Sequence, residues 1–391
     1  DAWDLLVTVN GDAPGGGGPV VPSEGNDSRS GLVGKQRATS ALGAGQQRQP
    51  GAPSTRTPPR ALTPRMPSLA VRRLATAITL FFPAAAAAQT SALEATIRAR
   101  LDSLPAQSAF YAKQLATGNE VAIRADVPMN TASVIKIPVM ILAFRDADAG
   151  RLNLDERHTI TADELRRGSG LLQTFDVGLQ PTYRDLITQM IITSDNTATD
   201  IMIARVGRER VNHMLDSLGY RETRLRMSVG ETFRQVFVAA DPKYASLTDR
   251  EVYQRGFPSD TGAERRNVAF VLDSTKWLGR TTAREISRLL EQLERGQLAS
   301  PASTAAMRRI LRSQLYASRL PQRISFRVAM GHKTGDWPPQ LGNDVGIMYP
   351  PNGPIVIAVF TNGNTGPFYQ LEAAEGRIGE DILNAWGGSP R

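Results

Sequence analysis

The chain has 391 residues, a formal charge of +8, three histidines and no cysteine, which allows two domains but excludes several chemistries. Without cysteine there can be no disulfide, thiol nucleophile, thiolate metal site or lipid-bearing N-terminal cysteine, and His158, His213 and His332 are too scattered to suggest zinc. Residues 1–88 hold nine basic and five acidic residues, so the remainder carries only +4, which is no nucleic-acid footprint.

Residues 1–65 combine Gly15-Gly16-Gly17-Gly18 with repeated Pro, Ser, Gln and Arg, a disordered composition. Met66 then opens a segment with the three parts of a secretory signal: Arg72 and Arg73, an apolar stretch over 74–82, and Ala84 to Ala88 as a small-residue cleavage region. The expected organisation is an upstream extension or artefact over 1–65, a signal peptide over 66–88, and one catalytic domain over 89–391, exported to the periplasm or the medium. No later stretch is long enough to anchor the mature protein in a membrane.

Leu93, Ile97, Leu101 and Leu104 share one helical face, so residues 90–104 are predicted as an amphipathic helix with Ser91 as a possible cap. Two short strands, 108–115 and 120–124, follow around Thr117-Gly118-Asn119. Next comes Ser133-Val134-Ile135-Lys136, opening a segment that is otherwise apolar on every side, the pattern of a buried helix. Pro138 inside it predicts a kink.

The 46 basic residues include only six lysines, so arginine is the ordinary cation of this chain. An arginine keeps its proton, whereas a desolvated lysine can release it near neutral pH. Ser133 and Lys136, on one helix face, therefore read either as a nucleophile with its base or as an N-cap serine with a snorkelling lysine.

Thr182 is expected to cap a helix that ends at Thr193-Ser194-Asp195-Asn196-Thr197. That cluster is either a capped turn or a proton-passing Ser194 with Asn196 donating to a substrate amide. Residues 228–279 give little pattern. Thr282 and Glu285 suggest a capping box, and Ser300-Pro301 opens another helix. Strands are predicted at 324–330, 344–349 and 355–361, the last apolar enough to be central, and a helix over 368–386 closes the chain. After the first of these strands comes Gly331-His332-Lys333-Thr334-Gly335-Asp336, either a turn or a cation and hydroxyl placed for a substrate carboxylate.

Ser133-x-x-Lys136, Ser194-Asp195-Asn196 and Lys333-Thr334-Gly335, in that order, resemble the class A serine β-lactamases and the related penicillin-binding D,D-peptidases. The resemblance runs from about residue 91 to 386. It implies an α/β (α+β type) fold, an antiparallel sheet flanked by helices beside an all-helical lobe, with the site between them. It implies Ser133 as nucleophile, Lys136 as its base, an oxyanion hole from the N–H groups of Ser133 and Asp336, and Ser194 with Lys333 protonating the leaving nitrogen. Lys333 with Thr334 would hold the substrate carboxylate, Gly335 would let a backbone approach closely, and Asn196 would contact the side-chain amide. No metal or organic cofactor is implied; the expected partner is a small-molecule β-lactam or peptidoglycan-peptide substrate, and the expected state is a monomer.

Two residues depart from the family pattern. Alignment puts Val229 where the family carries its deacylating glutamate, so Glu231 either reaches the catalytic water through a rebuilt loop or lies on the surface. Asp336 puts a carboxylate beside the expected oxyanion hole. The alternatives to a lactamase are a D,D-peptidase-like or slow penicillin-binding acyltransferase, and a non-catalytic cell-wall binding protein.

Overall fold

The computed structural model describes residues 89–257 and 261–388. The expected extension, signal peptide and cleavage point lie outside the described residues.

Five antiparallel strands form the main sheet: β1 (Gln107–Gln114), β2 (Glu120–Ile123), β6 (Met330–Trp337), β7 (Leu341–Met348) and β8 (Ile355–Asn362), in the order β2-β1-β8-β7-β6. Every residue of β8 is buried, as its unbroken apolar run predicts for the middle strand. Alternation decides which side chain serves which layer. Phe110, Ala112, Ile355, Ile357 and Val359 face helix α1 (residues 89–102) and the C-terminal helix α11 (Phe368–Trp386). Ala109, Tyr111, Val356, Ala358 and Phe360 join the core of the helical layer.

At the centre of that layer is α2 (Lys136–Asp148), buried along nearly its whole length as its all-round apolarity requires. Around it lie α3 (Tyr183–Ile192), α4 (Asn196–Val206), α5 (Arg208–Ser217), α9 (Ala283–Glu294) and α10 (Pro301–Arg312). Pro138 falls in the first turn of α2, where no intrahelical N–H is needed, and a 3-10 turn over Ala132–Ile135 precedes it in place of a mid-helix kink. A second, three-stranded sheet joins β3 (Met129–Asn130), β5 (Gly279–Thr281) and β4 (Arg224–Leu225) in the order β3-β5-β4. Gly279 lets β5 pass close to the 3-10 turn, since a Cβ there would lie 2.7 Å from Ile135 Cγ1 and Thr131 Oγ1.

The stretch with little sequence pattern is helical: α6 (Val229–Ala240), a 3-10 turn over Pro242–Ser246, α7 (Asp249–Arg255) and α8 (Thr261–Leu272). Val236, Phe237, Tyr244 and Val252 give it a small core of its own. Two expectations are corrected. Residues 324–328 are turns rather than a strand, so Lys333, Thr334 and Gly335 lie inside β6 and not beyond its end. Thr282 caps α9, but Glu285 does not return the bond: its carboxylate accepts from the backbone N–H groups of Arg221, Glu222 and Thr223.

Candidate active site

Ser133 lies in the 3-10 turn, partly exposed between buried Ala132 and Val134, and the turn runs directly into α2. Ala132 has φ +40°, a left-handed conformation that costs a residue with a Cβ about 1 kcal/mol. Three asparagines hold it there. Asn130 Oδ1 accepts from the Ala132 N–H (3.0 Å), Asn362 Oδ1 from the Asn130 N–H (2.8 Å), and Asn343 Nδ2 donates to Asn130 O (2.9 Å). Asn343 and Asn362 belong to β7 and β8, so the serine turn is fixed to the interior of the main sheet. The sequence reading missed all three, because asparagine in an apolar strand carries no positional signature.

Lys136 is fully buried at the start of α2, and its Nζ donates to Ser194 O (2.6 Å), Asn196 Oδ1 (2.9 Å) and Ser194 Oγ (3.2 Å). Lys333, equally buried on β6, donates to the same Ser194 Oγ (3.0 Å) and to Thr334 O (2.8 Å). The three sequence signals thus meet at one hydroxyl. Ser194 reaches it from a left-handed backbone, φ +56°, between α3 and α4. Buried Asp195 fixes that corner by accepting from the Ala198 and Leu172 N–H groups, both at 2.8 Å.

Two desolvated ammonium groups cannot comfortably share one hydroxyl. Burial pulls Lys333 down to about 7, with Asp336 and Asp344 resisting the fall. Burial lowers Lys136 well below the usual lysine range, and the charge of Lys333 lowers it further. The arrangement therefore supplies a lysine able to accept a proton, a hydroxyl able to relay one, and a second lysine that titrates near neutrality.

Gly335 brings β6 against the serine turn, because a Cβ there would collide with Thr131 O and lie 3.1 Å from Val134 Cγ2. Next to it, the buried Thr334 hydroxyl has no hydrogen-bond partner among the described residues, which suits a group meant to meet a ligand. Asn196 is divided: Oδ1 serves Lys136, and Nδ2 donates to Arg167 O (2.8 Å). Phe233 of α6 packs nearby and meets Trp337 of β6 at 5.6 Å between ring centroids.

Glu231 does not join this network. Its carboxylate accepts from the Ser228 N–H (2.6 Å), closing a capping box at the start of α6, and from Arg208 Nη1 (2.9 Å), with the side chain about half exposed. Of the two sequence alternatives, the surface one describes its position. The buried carboxylate that fixes this helix start is Asp200, which accepts from the Val229 N–H (2.7 Å), the Gly230 N–H (2.8 Å) and Arg166 Nε (2.7 Å).

Asp336 turns its side chain onto Arg319, 2.6 Å away and almost wholly buried. Arg319 was lost among the chain's many arginines. Glu372 approaches it at 3.6 Å, and the carboxyl of buried Glu375, pushed well above the usual range by desolvation, lies in the same cluster.

Residues 92–386 match the Beta-lactamase enzyme family, three quarters of the chain. The chain belongs to this family. A β-lactamase of Streptomyces albus G is 26% identical over 66% of this chain and 72% of its own length, and one of Streptomyces lavendulae 27% over 71% and 79%. The crystal structure of a β-lactamase from Sphaerobacter thermophilus DSM 20745 superimposes with a TM-score of 0.60 at 27% identity, covering 78% of this chain and 99% of its own. The fold is that of the serine β-lactamases and penicillin-binding proteins, as the three motifs imply. PBP-A, 22% identical with a TM-score of 0.59, shares that fold and has been solved in variant form as an acyl-enzyme complex with penicillin G. The two Streptomyces relatives are β-lactamases, hydrolytic enzymes that act on β-lactams.

Proposed function

We propose that this chain opens the β-lactam ring through an acyl-enzyme on Ser133, as an exported class A-like serine enzyme. The observation that carries the reading is the meeting of Lys136 and Lys333 on Ser194 Oγ, next to the turn that presents Ser133. Lys136 takes the Ser133 proton as the hydroxyl attacks the lactam carbonyl. The N–H groups of Ser133 and Asp336 receive the oxyanion, where losing one donor typically raises a barrier by ~3 kcal/mol. Ser194, backed by Lys333, delivers a proton to the departing nitrogen. Lys333 and Thr334 meet the substrate carboxylate, Gly335 gives it room, and Asn196 contacts the side-chain amide.

The position of Glu231 favours a second reading for turnover. With its carboxylate held by Ser228 and Arg208, and Phe233 packed near Asn196, the Asn196 side offers an aromatic ring rather than a free carboxylate to activate water. A slow penicillin-binding acyltransferase follows from that arrangement. A purely binding role is disfavoured by the two buried lysines, which are costly to hold without chemistry for them.

Time-resolved intact mass of residues 89–391 with excess benzylpenicillin tests both readings. A return to the free mass while hydrolysed drug accumulates supports the lactamase. A lasting adduct on Ser133 supports the slow acyltransferase, and no adduct with no hydrolysed drug refutes both.

A further inference from the structure

The pairing of Asp336 with Arg319 bears on which ligands the site accepts, given the reading above that Lys333 and Thr334 meet a substrate carboxylate. Arg319 is a buried cation close enough to Lys333 to lower its proton affinity, and Asp336 is close enough to raise it. Both charges therefore act on the place where an anionic group would lie. Asp336 reaches solvent, its side chain about a quarter exposed, as Glu372 does, whereas Arg319, Asp344 and Glu375 are buried. It is also next in sequence to Gly335, the residue that brings this strand against the Ser133 turn. The strand thus carries its own carboxylate into the region a ligand's carboxylate must enter, and that internal anion already occupies Arg319.

We propose that Asp336 is a specificity-determining residue: its carboxylate engages Arg319 and stands in for a ligand anion, so the site discriminates weakly between β-lactams with a free carboxylate and neutral analogues. A carboxylate placed by Lys333 and Thr334 meets the repulsion of Asp336 and finds Arg319 taken. A neutral ligand feels neither effect. Replacing Asp336 leaves Arg319 with Glu372 at 3.6 Å, so the buried guanidinium keeps a counterion.

The test compares benzylpenicillin with its methyl ester on the wild type, Asp336→Asn and Asp336→Ser, reading the second-order rate constant of acylation by intact mass. Asparagine keeps the side chain's shape and both variants keep the backbone N–H, so charge is the variable. Removing a unit charge several ångströms away at a partly exposed site should raise the ratio of free-acid to ester acylation rate constants about tenfold. Two variants with the same selective gain support the proposal. Equal changes for acid and ester, or none, overturn it while the function above stands. Absence of any adduct and of any hydrolysed ligand in all three proteins refutes the function and the specificity together.

Discussion

Lys333→Met probes the buried lysine pair through stability rather than activity. In the unfolded chain a lysine titrates near its ordinary value of about 10.4, whereas burial holds Lys333 at about 7. Between those values the unfolded state binds one more proton than the folded state, so stability must rise with pH across this window. For a pKa of about 7, linkage gives a gain of about 2 kcal/mol from pH 7 to pH 9 that methionine cannot show. Removing Lys333 also frees Lys136 of a cation that lowers its proton affinity, which flattens the variant's profile further in the same sense. Urea unfolding of wild type and Lys333→Met at pH 6, 7, 8 and 9 provides the comparison. The wild-type curve should climb relative to the variant's above pH 7. Parallel curves would show that Lys333 keeps an ordinary pKa in the fold, and the electrostatic account of the site would be wrong.

Other expectations concern single side chains. Ser133→Ala should give no mass adduct with benzylpenicillin, and full hydrolysis by that variant would remove Ser133 from the nucleophile's role. Lys136→Ala should slow acylation by ~100-fold or more, measured in a stopped-flow assay with a chromogenic cephalosporin, since it removes the base. Glu231→Gln should leave acylation and deacylation unaltered and cost at most about 1 kcal/mol in urea unfolding, because it weakens one helix cap and one exposed ion pair. A selective loss of deacylation in that variant would restore Glu231 to the mechanism. Gly335→Ala should lower stability by roughly 1–3 kcal/mol, because the new methyl runs into the carbonyl of Thr131; an unchanged melting temperature would mean that the strand and the serine turn are less tightly apposed.

The parts legible in the sequence were those governed by local pattern. All-round apolarity placed α2 inside, the unbroken run at 355–361 placed β8 at mid-sheet, and Thr182 caps its helix as expected, with Asp185 returning the bond. The three motifs came together because each kept its order along the chain. What stayed hidden depends on partners distant in sequence. Ser228 and Glu231 have the spacing of a capping box, and that local bond is where Glu231 is used. Thr282 and Glu285 have the same spacing, yet three backbone N–H groups more than 60 residues away draw Glu285 off. Spacing identifies an available bond, and packing decides which bond is made. The asparagines beneath the serine turn and the Arg319–Asp336 pair are tertiary in the same way.

The left-handed backbone at Ala132 has a consequence for the history of such a chain. Glycine would fit φ +40° without strain, and it would remove only a buried methyl. Selection for heat resistance alone would tend to favour that exchange, up to the point where a looser turn misplaces the neighbouring hydroxyl. An alanine kept at this position across a laboratory evolution experiment would therefore record demand for catalysis, and its replacement by glycine would mark lineages released from that demand.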